Sequence, residues 1–152
     1  MEIRIARRED LEQIVELLAD DSLGSKREEP STPLSECYIK AFEVIEKEAN
    51  NNIVVAVEHS VIVGCLQLTF IPHLTFKGGM RAQIEAVRVK PDYRHRGIGK
   101  QLFEWAIDRA KDADCHLVQL TTNKSRPSAM KFYQSIGFES THEGVKLYLK
   151  EW

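Results

Sequence analysis

Arg94, His95, Arg96, Gly97, Ile98, Gly99 and Lys100 carry the strongest chemical signal in this chain. They close the stretch Val87-Arg88-Val89-Lys90-Pro91-Asp92-Tyr93-Arg94-His95-Arg96-Gly97-Ile98-Gly99-Lys100, in which an apolar strand runs into a basic loop, a Gly-x-Gly pair and an amphipathic helix. That layout puts backbone N–H groups, a helix dipole and two arginines around one small volume, which suits a pyrophosphate. Gly97 and Gly99 permit a left-handed turn or a close backbone approach that a Cβ would block. The competing reading is a helix-start turn with solvated arginines. A Walker loop would need Gly-Lys-Ser or Gly-Lys-Thr, yet Gln101 follows Gly99-Lys100. A dinucleotide fingerprint would want a glycine where Leu102 stands, so both alternatives fit poorly.

The elements that must position these residues can be read from periodicity. Ile3 and Ile5 suggest a short opening strand, and Leu11, Ile14, Val15 and Leu18 follow at helical spacing. Asp20 to Pro33 reads as a loop, with Thr32-Pro33 as cap and first position of a second helix bearing Tyr38, Phe42 and Ile45 on one face. Ile53–Val57 and Val61–Ile71 read as a hairpin around Glu58-His59-Ser60. Pro72 to Gly79 is a loop, Ala82–Val89 a strand, and Gly97 opens a helix whose Ile98, Leu102, Ala106 and Ala110 share a side. His116–Thr121 is a further strand. Pro127 starts a helix with Ala129, Phe132, Tyr133 and Ile136 on its buried face, and Gly137 stops it in a left-handed conformation with Phe138 folding back. Val145, Leu147 and Leu149 alternate as a terminal strand. The expectation is one α/β domain spanning 1–152.

The totals narrow the function. The 152 residues are 43% apolar and 29% charged with a net charge of −2, ordinary for a globular protein and unlike a nucleic-acid binder. No apolar run is long enough to span a bilayer, and Met1 to Asp10 lacks the apolar centre of a signal peptide. Cys37, Cys65 and Cys115 read as free thiols of a reducing compartment, and the five histidines show no zinc spacing. A cytoplasmic, metal-free protein without nucleic-acid or membrane partners is expected.

Arg94-His95-Arg96-Gly97-Ile98-Gly99 resembles the (Gln/Arg)-x-x-Gly-x-(Gly/Ala) signature of the GCN5-related N-acetyltransferases (GNAT). A second block agrees: Leu120-Thr121-Thr122-Asn123-Lys124, Ala129-Met130-Lys131-Phe132-Tyr133 and Gly137-Phe138. Order and spacing match from the first strand to the last. Arg126-Pro127-Ser128-Ala129, Gln67-Leu68-Thr69-Phe70 and Gln83-Ile84-Glu85 look like a bacterial subgroup of unassigned substrate. The resemblance implies a mixed, mostly antiparallel sheet of about seven strands and about four helices. Two central parallel strands, near Ala82–Val89 and His116–Thr121, splay into a V that receives acetyl-CoA. An amine acceptor enters from the opposite side, under the first two helices.

The resemblance also implies roles. Acetyl-CoA is a co-substrate whose pantetheine arm bonds the backbone at Val87 and Val89, beside Arg88, like an added strand. Its pyrophosphate meets His95 to Gly99, with Arg94, Arg96 and Lys100 adding charge. Asn123, Ser128 and Lys131 lie within reach of the coenzyme, Asn123 being equally a strand-end turn residue. Glu85 is the first candidate base, on the same face as Val87 and Val89 if the strand alternates without a break, and equally a salt-bridge partner for an arginine. Glu28, Glu29 and His73 compete as bases. A Val87 N–H would hold the oxyanion, and Tyr133 would protonate the leaving thiolate unless it is a core aromatic. Acidic Asp20, Asp21, Glu28 and Glu29, mixed with Lys26 and Arg27, would suit a cationic small-molecule or peptide amine, or are simply solvated. A non-catalytic acyl-CoA-binding regulatory module remains the alternative, and the chain would be a monomer or homodimer.

Overall fold

The computed structural model describes residues 1–150, and the chain divides into two units, Met1–Gln119 and Leu120–Trp152. The first unit carries β1 (Glu2–Ile5), α1 (Leu11–Ala19), α2 (Glu36–Lys47), β2 (Asn51–Glu58), β3 (Val61–Pro72), the single turn α3 (Thr75–Gly78), β4 (Met80–Val89), α4 (Ile98–Asp112) and nearly all of β5 (Cys115–Leu120). The strands form one sheet in the order β1-β2-β3-β4-β5, five strands among the described residues rather than about seven. β1 through β4 pair antiparallel. β5 runs parallel to β4: His116 Nδ1 bonds Met80 O at 2.8 Å, and three residues on in both strands Gln119 Nε2 donates to Gln83 Oε1 at 2.7 Å. The mixed α/β class is thus borne out.

Pleating divides the sheet residues between two faces. Val55 and Cys65 look toward α1 and α2, joining Leu11, Ile14, Val15, Leu17 and Phe42 in one buried cluster. Leu66, Leu68 and Ile84 point the other way, where Leu102, Phe103 and Ala106 of α4 are also buried. Gly64 belongs to that second face. A Cβ there would lie 3.0 Å from Leu102 Cδ1 and 3.2 Å from Ile98 Cγ2, so the missing side chain lets the first turns of α4 settle close against β3.

His59 and Ser60, with φ of 49° and 66°, close the β2–β3 hairpin in left-handed conformations, as a two-residue loop of matching twist requires. α2 begins later than the Thr32-Pro33 signal suggests: its N-cap is Ser35 and its first residue Glu36.

In the second unit, α5 (Pro127–Ser135) starts at the expected proline. Gly137, at φ 95°, ends it. Gly137 N–H bonds Gln134 O at 3.1 Å and Phe138 N–H bonds Tyr133 O at 3.0 Å, so Phe138 folds back over the last turn. The terminal strand expected at Val145–Leu149 is not formed: residues 139–150 pair with no strand among those described. Alternation marks what a strand would need, but a strand also requires a hydrogen-bonding edge beside it.

Candidate functional site

β4 is bent in its middle. Between Cys65 and Gln67 of β3 the partner changes from Arg88 to Glu85, so one extra residue sits on β4. Ala86 absorbs it in a left-handed conformation, φ 53°. Cys65 supports the bulge by donating its Sγ–H to Ala86 O at 3.7 Å. Burial drives the Cys65 thiol pKa up to about 12, with the Arg88 charge and a backbone bond at Arg88 opposing it, so it stays protonated as a donor.

The bulge changes which side chains share a face. Glu85 stands opposite Gln67, and Arg88 opposite Cys65. Gln67 and Cys65 both look toward the α1–α2 side, so Glu85 and Arg88 do too. Val89 stands opposite Gly64 and looks toward α4. The unbroken alternation that would align Glu85 with Val89 is therefore absent, because one bulge residue inverts the parity. Glu85 is exposed, and the ion pair that this strand makes uses Arg88 instead. Arg88 Nε lies 3.1 Å from Asp21 Oδ2, and Arg88 Nη1 donates to Val87 O at 2.9 Å.

Asp21 anchors the loop that carries the other candidate carboxylates. Its Oδ1 accepts the N–H groups of Leu23 and Gly24 at 2.9 and 2.6 Å. Further along, Tyr38 donates its hydroxyl to Glu28 Oε2 at 3.1 Å and accepts Glu29 N–H at 2.9 Å. Burial and the adjacent Glu28 raise the Tyr38 pKa against the lowering by the Glu29 bond, which keeps that hydroxyl protonated. Glu28 is half-buried and braced, whereas Glu29 is exposed. His73 lies elsewhere, after β3, with Nδ1 2.5 Å from Thr75 Oγ1 and its ring 5.1 Å from that of His116. Desolvation, then the His116 and Arg81 charges, lower its pKa. It sits near Met80, five residues before Glu85, roughly 17 Å along an extended strand.

The Gln83–Gln119 bond lies near the end of the paired stretch. β5 ends one residue later, while β4 runs on to Val89. The outer edge of β4 around Glu85–Val89 therefore lies past the end of the strand beside it. At its end the chain turns through a short helical segment, Pro91–Tyr93, into the basic loop. Arg94 Nε reaches back to Val89 O at 3.1 Å, and Arg96 lies 4.9 Å over the Tyr93 ring. His95 and Gly97 are left-handed, at φ 62° and 80°. Gln101 N–H is the first bonded into the helix ladder, to Gly97 O at 3.0 Å. Among the described residues the N–H groups of His95, Arg96, Gly97, Ile98, Gly99 and Lys100 bond no acceptor. Six donors, two left-handed residues and the start of a 15-residue helix form an array whose chemistry suits an anion. A Cβ on Gly97 would meet only Gln101 Nε2, at 3.9 Å, so the turn rather than space demands glycine there. Lys100 Nζ is turned to Glu104, 3.7 Å away, leaving its backbone N–H as the contribution to the loop.

In the second unit, Asn123 Oδ1 accepts both the N–H and the hydroxyl of Ser125, at 2.9 and 2.8 Å, and is therefore a turn residue. Tyr133 is half-buried, with its ring edge-on to Phe132 and Phe138 at 5.6 and 6.2 Å between centroids. Ser128 and Lys131 are exposed on the same helix. A shallow apolar recess of about 260 Å³, lined by Ile5, Leu68, Phe70 and Trp105, lies against the far half of α4 and offers no donor array of this kind.

A family model described as "Acetyltransferase (GNAT) family" matches residues 11–138. The chain belongs to that family. It is 51% identical to the crystal structure of a transcriptional regulator from Bacillus halodurans C-125, covering 97% of this chain and 99% of that one with a TM-score of 0.95. It is 28% identical to glucosamine 6-phosphate N-acetyltransferase of Trypanosoma brucei brucei over 98% of this chain and 96% of that protein. It is 32% identical to aminoalkylphosphonate N-acetyltransferase of Salmonella typhimurium over 57% of this chain. The match spans 56%, about half, of the Salmonella protein's length. GNAT membership makes the acyltransferase domain the frame for the donor array and for the stretch of β4 that outruns β5. Sequence reasoning overlooked Asp21 as an anchor, Gly64 as a packing gap and Ala86 as a bulge. Of these, only a glycine within the β-branched run Val61-Ile62-Val63-Gly64 carried a signal.

Proposed function

We propose that the protein is an N-acetyltransferase that moves an acetyl group from acetyl-CoA to a primary amine by direct attack in a ternary complex, with 1–152 acting as one domain. The observation that carries this reading is the array of six unbonded N–H groups from His95 to Lys100, continuous with a strand edge that outruns its neighbour. The family uses acetyl-CoA, and two of the relatives above are named as N-acetyltransferases of amine-bearing compounds.

Acetyl-CoA supplies an acyl thioester. The N–H groups of the loop bind its diphosphate, and Arg94 and Arg96 add charge-assisted bonds. The backbone of Val87 and Val89 bonds the pantetheine amides at the open edge of β4. An alkyl amine has a pKa near ~10.4 and reaches the site mostly protonated. Glu85 takes that proton, directly or through a water. Its place on the face toward the α1–α2 loop supports this role, because the loop carries Glu28 and Glu29 beside the path for a cationic acceptor. The amine nitrogen then bonds the carbonyl carbon as the carbon–sulfur bond breaks. Val87 N–H holds the charge on the oxygen, Tyr133 gives its proton to the leaving thiolate, and the proton that the acylated nitrogen sheds returns through solvent to Tyr133.

A second reading is an acyl-CoA-binding regulatory module without transfer, favoured by the name "transcriptional regulator" on the Bacillus halodurans structure. One experiment separates the two. The protein is incubated with acetyl-CoA and a panel of amines, with free thiol and acetylated product followed together. Thiol release matched by product mass supports the enzyme. Calorimetric binding of acetyl-CoA with no thiol release from any amine supports the module, and no binding removes both.

A further inference from the structure

The sheet face that carries Glu85 is polar at positions where a helix-covered face would be apolar. Gln67 Nε2 donates to Asn51 Oδ1 at 2.9 Å, and Thr69 Oγ1 donates to the same oxygen at 3.2 Å. Gln119 Nε2 donates to Gln83 Oε1 at 2.7 Å. Glu85 stands opposite Gln67, Gln83 opposite Thr69, and Thr69 opposite Asn51, so the register sets these side chains on one face. Glu85 is exposed and the others are half-buried. The same strands turn Leu66, Leu68, Ala82 and Ile84 to the opposite face, where all four are buried. A carboxamide carries two donors and an acceptor, so one bond apiece leaves Gln67, Gln83 and Gln119 with hydrogen-bonding capacity to spare.

Arg81 ends this row. The register runs without a break from Glu85 opposite Gln67 to Arg81 opposite Ile71, so Arg81, Gln83 and Glu85 face the same way. Arg81 is half-buried, and its Nε is buried with no hydrogen-bond partner among the described residues. Arg4, Arg8 and Arg88 lie 2.6, 3.0 and 3.1 Å from carboxylates, whereas no described carboxylate pairs with Arg81. A half-buried cation without a counter-ion is costly, and an anionic ligand would offset that cost. His73 Nε2 is likewise buried and unpartnered. Desolvation, then the His116 and Arg81 charges, lower the His73 pKa, so at neutral pH this ring brings a hydrogen-bonding nitrogen to the Arg81 end and no charge.

The row therefore runs from a carboxylate through amides to a cation. Four residues of strand separate Arg81 from Glu85 by about 13 Å. We propose that this row binds an acceptor whose amine lies at Glu85 and whose carboxylate is held by Arg81, the acceptor being a short peptide with both ends free. Three extended residues span about 10 Å, and the Arg81 and Glu85 side chains close the remainder. One cation beside a neutral imidazole matches a singly charged carboxylate rather than a phosphate dianion. The amides between the two ends match peptide groups rather than a bare alkyl chain, which would leave them unpaired. The amine end of this proposal rests on the acetyl-transfer reading; the carboxylate end does not.

The test reads binding and turnover separately. Triglycine and triglycinamide are titrated calorimetrically into the protein loaded with coenzyme A, and the same peptides are supplied with acetyl-CoA while free thiol is followed. The wild type is expected to bind triglycine about tenfold more tightly than its amide. Arg81→Gln is expected to erase that difference by weakening triglycine alone, with wild-type dichroism, and Arg81→Lys, which keeps the charge, to retain part of it. Equal wild-type affinity for the two peptides overturns the proposal whatever the variants do, as does binding of neither. An Arg81→Gln variant that weakens both peptides alike also overturns it, since that marks a structural arginine. Selective binding of triglycine without thiol release upholds the carboxylate site and sinks acetyl transfer to that peptide. Thiol release from both peptides at equal affinity does the reverse.

Discussion

Arg88 of β4 sets its Nε 3.1 Å from Asp21 Oδ2 in the loop after α1, with the two side chains only 12% and 20% exposed. This contact ties the first loop of the chain to the strand at the bulge. Arg88 also holds Val87 O, and Asp21 also holds Leu23 and Gly24 N–H. One pair therefore fixes both the backbone of β4 past the end of β5 and the course of the segment carrying Glu28 and Glu29.

Asp21→Asn keeps an oxygen for the two N–H groups but removes the charge. Hydrogen bonds to charged groups contribute about 1.5–3 kcal/mol, and a loss at the lower end is expected in denaturant unfolding. The KM for the amine is expected to rise severalfold while that for acetyl-CoA changes little. Steady-state kinetics with each substrate varied in turn measures the split.

Glu85→Gln and Tyr133→Phe probe the two proton transfers proposed for these residues. Positioned acids and bases contribute roughly 10²–10⁴ in rate, so each variant is expected to lose at least tenfold in turnover with near-native acetyl-CoA affinity. The Glu85→Gln defect is expected to shrink as pH climbs toward the amine pKa near ~10.4, because the acceptor then arrives already deprotonated. A wild-type rate from either variant would remove that residue from the mechanism.

Gly97→Val tests the anion loop. A side chain at φ 80° is strained, and a left-handed L-residue costs about 1–2 kcal/mol, more when β-branched. The expected result is a dissociation constant for acetyl-CoA raised at least tenfold by calorimetry, with the fold retained at 25 °C. Unchanged affinity would show that the loop N–H groups do not hold the ligand.

Asp10 governs the acid limb of stability. It is 5% exposed and accepts Arg4 Nη1 and Nη2 at 2.6 and 3.0 Å and Arg7 N–H at 2.7 Å. Burial alone would raise its pKa, but the Arg4 and Arg7 bonds together outweigh that and lower it. A depressed folded pKa means that the contribution is complete above the unfolded value near ~3.9 and disappears as pH falls below it through the folded value. Asp10→Asn is expected to cost about 2–3 kcal/mol at pH 7, under the 3–5 kcal/mol of a fully buried pair, since Arg4 keeps some access to water. Its melting temperature is expected to fall less than that of the wild type between pH 4 and 2, by scanning calorimetry.

The thiols should separate by position. Cys37 is exposed, Cys65 buried and Cys115 intermediate. Burial holds the Cys65 pKa at about 12 and, with Asp114, raises that of Cys115. The thiolate is the reactive form. Alkylation at pH 7.5 followed by peptide mapping is expected to modify Cys37 first and leave Cys65 untouched until the protein unfolds.

Local signals were legible wherever a residue's own backbone preference decides the outcome. Gly97 opening α4, Pro127 opening α5, Gly137 closing it and the buried side of α4 all follow from conformational freedom and helical spacing, which depend on neighbours a few positions away. The basic glycine loop was legible for the same reason, since its donors are consecutive in the chain.

What required the tertiary structure lies in contacts between distant segments. Nothing about an alanine announces that residue 86 will take a left-handed bulge; the register of β3 against β4 imposes it, and with it the face that Glu85 shares with Arg88. Asp21 read as one acid in a polar loop until folding set it against Arg88. Val145, Leu147 and Leu149 had the alternation of a strand, yet pairing needs an edge that no local pattern supplies. Side-chain type and spacing determine what a segment is able to do, and the partner that long-range packing brings beside it decides what it does.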